Sequence, residues 1–90
     1  KSRAYVRDGA FIEILIWRVP EPVEGSRHLH KYSLALVHDS TCVLRFDNEA
    51  GKGDHRHYGD REEPYTFSTV EQLVADFLQD VSALGGPGNV

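Results

Sequence analysis

Phe11-Ile-Glu-Ile-Leu-Ile-Trp17 is the most apolar run of the chain, interrupted only by Glu13. Ile12, Ile14 and Ile16 fall on one side of an extended segment, and Phe11, Leu15 and Trp17 on the other. Apolar positions on both sides predict a central strand over about 11–19, covered on both faces. Ahead of it, Tyr5-Val6-Arg7 runs into Asp8-Gly9, a short-range hairpin signal, which predicts a first strand over about 3–7. Pro20-Glu-Pro-Val-Glu-Gly25 breaks the second strand, and Ser26 to His30 continues as polar loop. Tyr32, Leu34 and Leu36 then alternate with Ser33, Ala35 and Val37 over a third strand at 31–38. After an Asp39-Ser40 turn, a fourth strand over 41–47 sets Cys42, Leu44 and Phe46 against Val43, Arg45 and Asp47.

The period changes near residue 68. Ser68 or Thr69 is a candidate helix cap, and Ser68-Thr-Val-Glu71 has capping-box spacing. Val70, Leu73, Val74, Phe77, Leu78, Val81 and Leu84 recur at helical spacing, which predicts an amphipathic helix over about 69–84. Gly85-Gly86-Pro87 stops it. Its outer face, with Glu71, Asp76, Gln79 and Asp80, reads as an acidic solvated surface. Between the fourth strand and the helix lies a polar loop over 48–63, followed by a short extended piece, Pro64-Tyr-Thr-Phe67. The pattern thus predicts a single α+β domain: an antiparallel four-stranded meander with one C-terminal amphipathic helix packed on one face. The other face, with Trp17, Val37 and Val43, stays open, so a second copy or a partner protein is expected to cover it, a homodimer being the simplest arrangement.

Ninety residues, 40% hydrophobic and 27% charged, make an ordinary soluble domain. No apolar run approaches the roughly 20 residues of a membrane span. Lys1-Ser-Arg-Ala-Tyr5 carries no apolar signal region, so nothing points to export and a cytoplasmic location is expected. Cys42, the single cysteine, has no internal disulfide partner and reads as a buried, inert thiol in a reducing compartment. A formal charge of −4 argues against a protein that coats nucleic acid generally, without excluding a small local basic site.

The loop is where chemistry concentrates. Gly51-Lys-Gly-Asp-His-Arg-His-Tyr-Gly-Asp60 brings two histidines, a lysine, an arginine and a tyrosine between glycines. Histidine titrates near neutrality, so His55 and His57 offer a general base and a general acid. Arg56, Lys52 and Arg45 can hold a phosphate, and Tyr58 can donate a proton or stack on a base. Together these are the parts of a metal-independent ribonuclease, needing no cofactor. His55 and His57 at i, i+2, with Asp54, Asp47 or Asp60, would alternatively ligate a metal, although no established ligand spacing is present. On residue type alone a charged, glycine-rich loop reads most simply as a solvated turn. His28 and His30 read as solvent-facing loop residues, and His38 as a strand-end residue. Arg45 and Asp47 share a strand face and can pair, and Glu13, if buried, needs a partner such as Arg45.

The order of segments adds a further reading. Phe46-Asp47-Asn48-Glu49, Gly51-Lys-Gly-Asp-His-Arg-His57, Glu63-Pro-Tyr-Thr-Phe67 and Leu73-Val-Ala-Asp-Phe77, with Tyr32-Ser33-Leu34 ahead of them, resemble the TumE-type family of small toxins. That family carries a (Y/F)DN segment, a DHRH loop, a PYxF segment and a helix with a DF pair, in this order. The resemblance runs from about Lys31 to Val81; the first thirty residues match only in their hairpin pattern. It implies the toxin half of a type II toxin–antitoxin pair, partnered by a helix-turn-helix protein antitoxin. Carried over by motif, the site residues are Asp47, Asn48, Asp54, His55, Arg56 and His57, with Lys52 and Tyr65 behind them. Asp47 and Asn48 are alternatively structural, Asn48 closing the turn after the fourth strand. RNA as substrate rests on the loop chemistry and on analogy with other small toxins.

Overall fold

The computed structural model describes residues 2–7 and 9–84. Among these residues six strands, β1 (Ser2–Arg7), β2 (Ala10–Arg18), β3 (His30–His38), β4 (Thr41–Asp47), β5 (His55–Tyr58) and β6 (Arg61–Pro64), precede one helix, α1 (Val70–Ala83). They form a single sheet in the order β1-β2-β3-β4-β5-β6, every neighbouring pair antiparallel. The α+β meander with one C-terminal helix stands, but with six strands rather than four. The segment expected to be a loop contains a hairpin. Tyr58 pairs with Arg61 across a two-residue Gly59-Asp60 turn, and Gly59 takes the positive φ of 59° that such a turn requires. Asp39 and Ser40, with φ of 50° and 67°, make the equivalent turn between β3 and β4. Asp8, in the expected first turn, and the Gly85-Gly86-Pro87 stop lie outside the described residues.

The core occupies one sheet face. Tyr32, Leu34 and Leu36 of β3 and Leu44 and Phe46 of β4 pack with Leu73, Phe77 and Val81 of α1, joined at the margin by Ile12, Ile14 and Ile16. Phe77 meets Phe46 edge-on, with ring centroids 5.6 Å apart. Thr69 is the helix cap, its hydroxyl accepting from the Gln72 N–H at 3.0 Å. That places Gln72, not Glu71, three residues past the cap, so the Ser68–Glu71 capping box does not form.

Within the chain β2 is covered on one face only, contrary to the reading of a strand buried on both. Trp17 remains 45% exposed and Tyr5 73% exposed on the open side. A bulge opposite Leu36/Val37 pairs Leu36 with Leu44 but Val37 with Cys42, leaving Val43 as the extra residue. The slip moves Cys42 to the open side, where it is exposed rather than buried, and brings Val43 against the core. No helix among the described residues is long and apolar enough to cross a membrane.

Candidate functional site

Alternation along β5 divides the expected site between the two faces. The strand pairs His57 with Arg45 and Glu62, and Arg56 with Phe46 and Glu63. Successive side chains of a strand leave opposite faces. His55 and His57 therefore stand on the open face with Arg45, Asp47 and Glu62. Arg56 and Tyr58 stand on the helix face. One continuous cross-strand row, Arg3–Glu13–Ala35–Arg45–His57–Glu62, crosses the open face from β1 to β6.

The two histidines have different hydrogen-bond partners. His55 Nδ1 lies 3.1 Å from the Gly53 carbonyl oxygen, which can only accept, so Nδ1 is the donor and, in the neutral ring, Nε2 presents the lone pair. His57 Nε2 lies 3.2 Å from Asp47 Oδ1, and its Nδ1 lies 3.3 Å from Glu62 Oε2. Carboxylates accept only, so a proton on Nε2 serves the Asp47 bond, and in the imidazolium form a second proton on Nδ1 would face Glu62. The rings are 6.4 Å apart, centroid to centroid. Beside them, Arg45 is exposed, and Cys42, Arg45, Asp47, Glu49 and His57 line an open cleft of about 300 Å³. Asp47 meets His57 instead of pairing with Arg45, and Glu13 accepts from Arg3 at 2.9 Å rather than from Arg45.

On the helix face the motif's charges face protein partners. Arg56 donates to Glu63 Oε1 from Nε at 3.1 Å and from Nη2 at 2.8 Å, and its Nη1 lies 3.6 Å from Asp80. Its guanidinium is ringed by Phe46, Tyr58 and Tyr65 at 5.7 to 5.9 Å. Tyr58 donates to Asp80, and Tyr65 donates to Asp76 at 2.6 Å. Two of the helix carboxylates expected to be solvated, Asp76 and Asp80, thus fasten α1 to β5 and to the segment after β6, while Glu71 is exposed as expected. Burial, reinforced by the bond to Asp80, pushes the Tyr58 hydroxyl up to about 12. Tyr65 and Tyr32 are raised for the same two causes, with Asp76 and Asp54 as acceptors.

Asp54, expected beside the histidines, is the hub of a separate network. Its Oδ1 accepts from Ser26 Oγ at 2.6 Å, and its Oδ2 accepts from Tyr32 OH and His28 Nε2, both at 2.7 Å. His28 Nδ1 accepts from the His30 N–H at 3.2 Å, so both nitrogens of this ring are engaged. The ring also stacks on Phe67 at 3.8 Å, and His30 is half-buried with Nδ1 unpaired among the described residues. Neither is the solvent-facing histidine that composition suggested. Fully buried Asn48 reaches β3 rather than closing a turn: Oδ1 accepts from the Tyr32 N–H at 2.9 Å and Nδ2 donates to the His30 carbonyl at 2.7 Å. Ser26, His28, Tyr32 and Phe67 were invisible as a group in sequence, because Asp54 joins positions 22 to 28 residues away.

Asp54, placed among the possible metal ligands, is thus committed to three protein donors. Among the described residues, no three His, Cys, Asp or Glu side chains are grouped so that they could hold a metal ion. Among the described residues Lys52 makes only long contacts, 3.9 Å to Glu49 and 3.7 Å to Glu62.

A family model described as Toxin TumE matches residues 1–84. No curated protein and no solved structure matches the chain.

Proposed function

The chain belongs to the TumE toxin family, and from that premise we propose that it acts as a metal-independent endoribonuclease whose site is the open sheet face. One observation carries this reading: His55 and His57 are neighbours on the open face with different partners, His55 Nδ1 on a backbone carbonyl and His57 between two carboxylates. His55 Nε2 takes the proton of a ribose 2′-hydroxyl as that oxygen attacks the adjacent phosphorus. The 2′-O–P bond forms and the P–O5′ bond breaks. His57 gives a proton to the departing 5′-oxygen, leaving a 2′,3′-cyclic phosphate and a 5′-hydroxyl. The Glu62 contact is the one that opens to release Nδ1–H, since Glu62 is 38% exposed and Asp47 18%. Asp47 then holds the ring in place. Arg45, exposed beside His57, binds the non-bridging oxygens and meets the charge that develops on them. Arg56 and Tyr58 have no part in this step; with Asn48 they hold the frame.

Incubation of the purified protein with RNA in EDTA tests the proposal. The parent chain leaves cyclic phosphate ends, and His55→Ala and His57→Ala each lose cleavage. Equal cleavage by parent and variants, or none by the parent, overturns it.

A second reading is favoured by the uncovered apolar half of the same face, where Tyr5, Phe11, Leu15 and Trp17 lie. It is a protein-binding surface for a helix-turn-helix antitoxin in the cytoplasm, and a toxin working by binding alone would use it without catalysis. Growth arrest that survives both histidine replacements, with Trp17→Ala abolishing it, selects this reading. A concentration-dependent dimer of the isolated chain, lost in Trp17→Ala, would make a second copy the occupant.

A further inference from the structure

A second cleft, of about 340 Å³, lies where the β2–β3 loop meets the β4–β5 loop and the segment leading into α1. Its size is at the lower end of small-molecule sites. Its floor is a backbone-to-backbone contact. Gly25 and Gly53 have φ of 94° and 76°, and a Cβ on Gly25 would lie 2.6 Å from the Gly53 nitrogen. The Gly51 N–H donates to the Glu24 carbonyl at 2.8 Å, tying the same two loops. Neither glycine can be replaced without parting them.

The lining is suited to one nucleotide. His28, Tyr65 and Phe67 supply an aromatic wall, Thr66 an exposed hydroxyl, and Arg27 and Lys52 two exposed cations. Arg27 has no hydrogen bond or ion pair among the described residues. Asp54 also borders the cleft, but its oxygens accept from Ser26, His28 and Tyr32, so it does not oppose an anion as a free carboxylate would. Lys52 links this cleft to the histidines. Its Nζ lies 3.7 Å from Glu62 Oε2, the same oxygen that lies 3.3 Å from His57 Nδ1.

We propose that this cleft is a subsite for a neighbouring nucleotide of a single-stranded RNA, its phosphate between Arg27 and Lys52 and its base against Phe67 and Tyr65. The inference rests on the RNA-cleaving reading and extends it, since the strand would pass from His57 over Lys52 into the cleft. Base–aromatic contact tolerates any base, so the subsite contributes affinity and register rather than sequence choice.

Binding of a fluorescent single-stranded RNA oligonucleotide, measured by anisotropy in a His57→Ala background, isolates the subsite from the chemistry. Arg27→Ala with Lys52→Ala is expected to weaken binding tenfold or more. The slope of log affinity against log salt should fall by about 0.7, the value for one phosphate on a single strand. Arg61→Ala, which removes an exposed cation elsewhere, should change binding less than twofold. Phe67→Leu should weaken binding with no change in the salt slope. Unchanged affinity and slope in the double variant, or an equal loss in Arg61→Ala, overturns the subsite while leaving RNA binding intact. Failure of the His57→Ala parent itself to bind RNA overturns the RNA reading and the subsite with it.

Discussion

The two faces of the sheet use the same strands for opposite purposes. On the helix face each charged or phenolic group of β5 and its flanks has a protein partner: Arg56 with Glu63 and Asp80, Tyr58 with Asp80, Tyr65 with Asp76. On the open face Arg45 is exposed, His55 Nε2 has no partner among the described residues, and His57 lies between two carboxylates. Four adjacent residues, Asp54 to His57, therefore do not form one cluster. The lesson is that in an extended segment a compact motif is two half-motifs, and each must be judged with its cross-strand neighbours.

Replacing residues one face at a time sharpens this contrast. The largest effect is expected for His57→Ala, which should lower RNA cleavage by about 10² to 10⁴, the range for loss of a positioned acid or base, with an unfolding midpoint close to the parent. Phe77→Ala should do the opposite. It empties the contact with Phe46 and should cost about 3–5 kcal/mol in denaturant unfolding, while the folded fraction keeps its cleavage rate. Asp54→Ala leaves Ser26, His28 and Tyr32 without their acceptor, and should destabilise by about 3 kcal/mol in the same measurement. A loss of activity without a loss of stability would instead move Asp54 into the chemistry.

The tyrosines whose hydroxyls are raised, Tyr58, Tyr65 and Tyr32, all belong to the helix face, so an alkaline effect on stability is expected there. The folded Tyr58 hydroxyl, at about 12, lies above its unfolded value near 10, so its contribution is complete below pH ~10 and is lost as pH rises through about 12. Tyr65 and Tyr32 shift in the same direction and extend that loss upward. In a Tyr5→Phe background, which removes the exposed tyrosine, unfolding followed by circular dichroism should coincide with the rise of tyrosinate absorbance, rather than tyrosinate appearing first in a folded chain. The smallest effect is expected for Tyr58→Phe, about 1 kcal/mol in unfolding free energy, with a weaker alkaline dependence.

Much of this arrangement was legible in the sequence. The alternation in β2 to β4 placed Ile12, Ile14, Leu34, Leu36, Leu44 and Phe46 on one face, and the stripe through Leu73, Phe77 and Val81 supplied their cover. The β5–β6 hairpin escaped because His-Arg-His-Tyr and Arg-Glu-Glu-Pro bury little apolar surface, and periodicity detects strands through apolar residues. Gly59-Asp60, a two-residue turn signal, was the clue that would have found it. A loop has no faces and sets Arg56 beside His57, whereas the hairpin sets them on opposite sides. The bulge at Val43 has no mark in the sequence, and it alone reverses the side on which simple alternation sets Cys42. The Asp54 network depends on contacts between distant loops, which no local pattern encodes.

Arg45 and Arg56 share a side chain and sit on adjacent strands, but on opposite faces, so they test the division most directly. RNA cleavage rate and thermal unfolding midpoint should be measured side by side for Arg45→Ala and Arg56→Ala. Arg45→Ala should lose about tenfold to a hundredfold in rate with its midpoint unchanged, as for a lost phosphate contact of about 1.5–3 kcal/mol. Arg56→Ala should lower the midpoint and leave the rate of the folded protein intact. The converse result, Arg56→Ala inactive but fully stable and Arg45→Ala fully active, would contradict the division of the motif between the two faces.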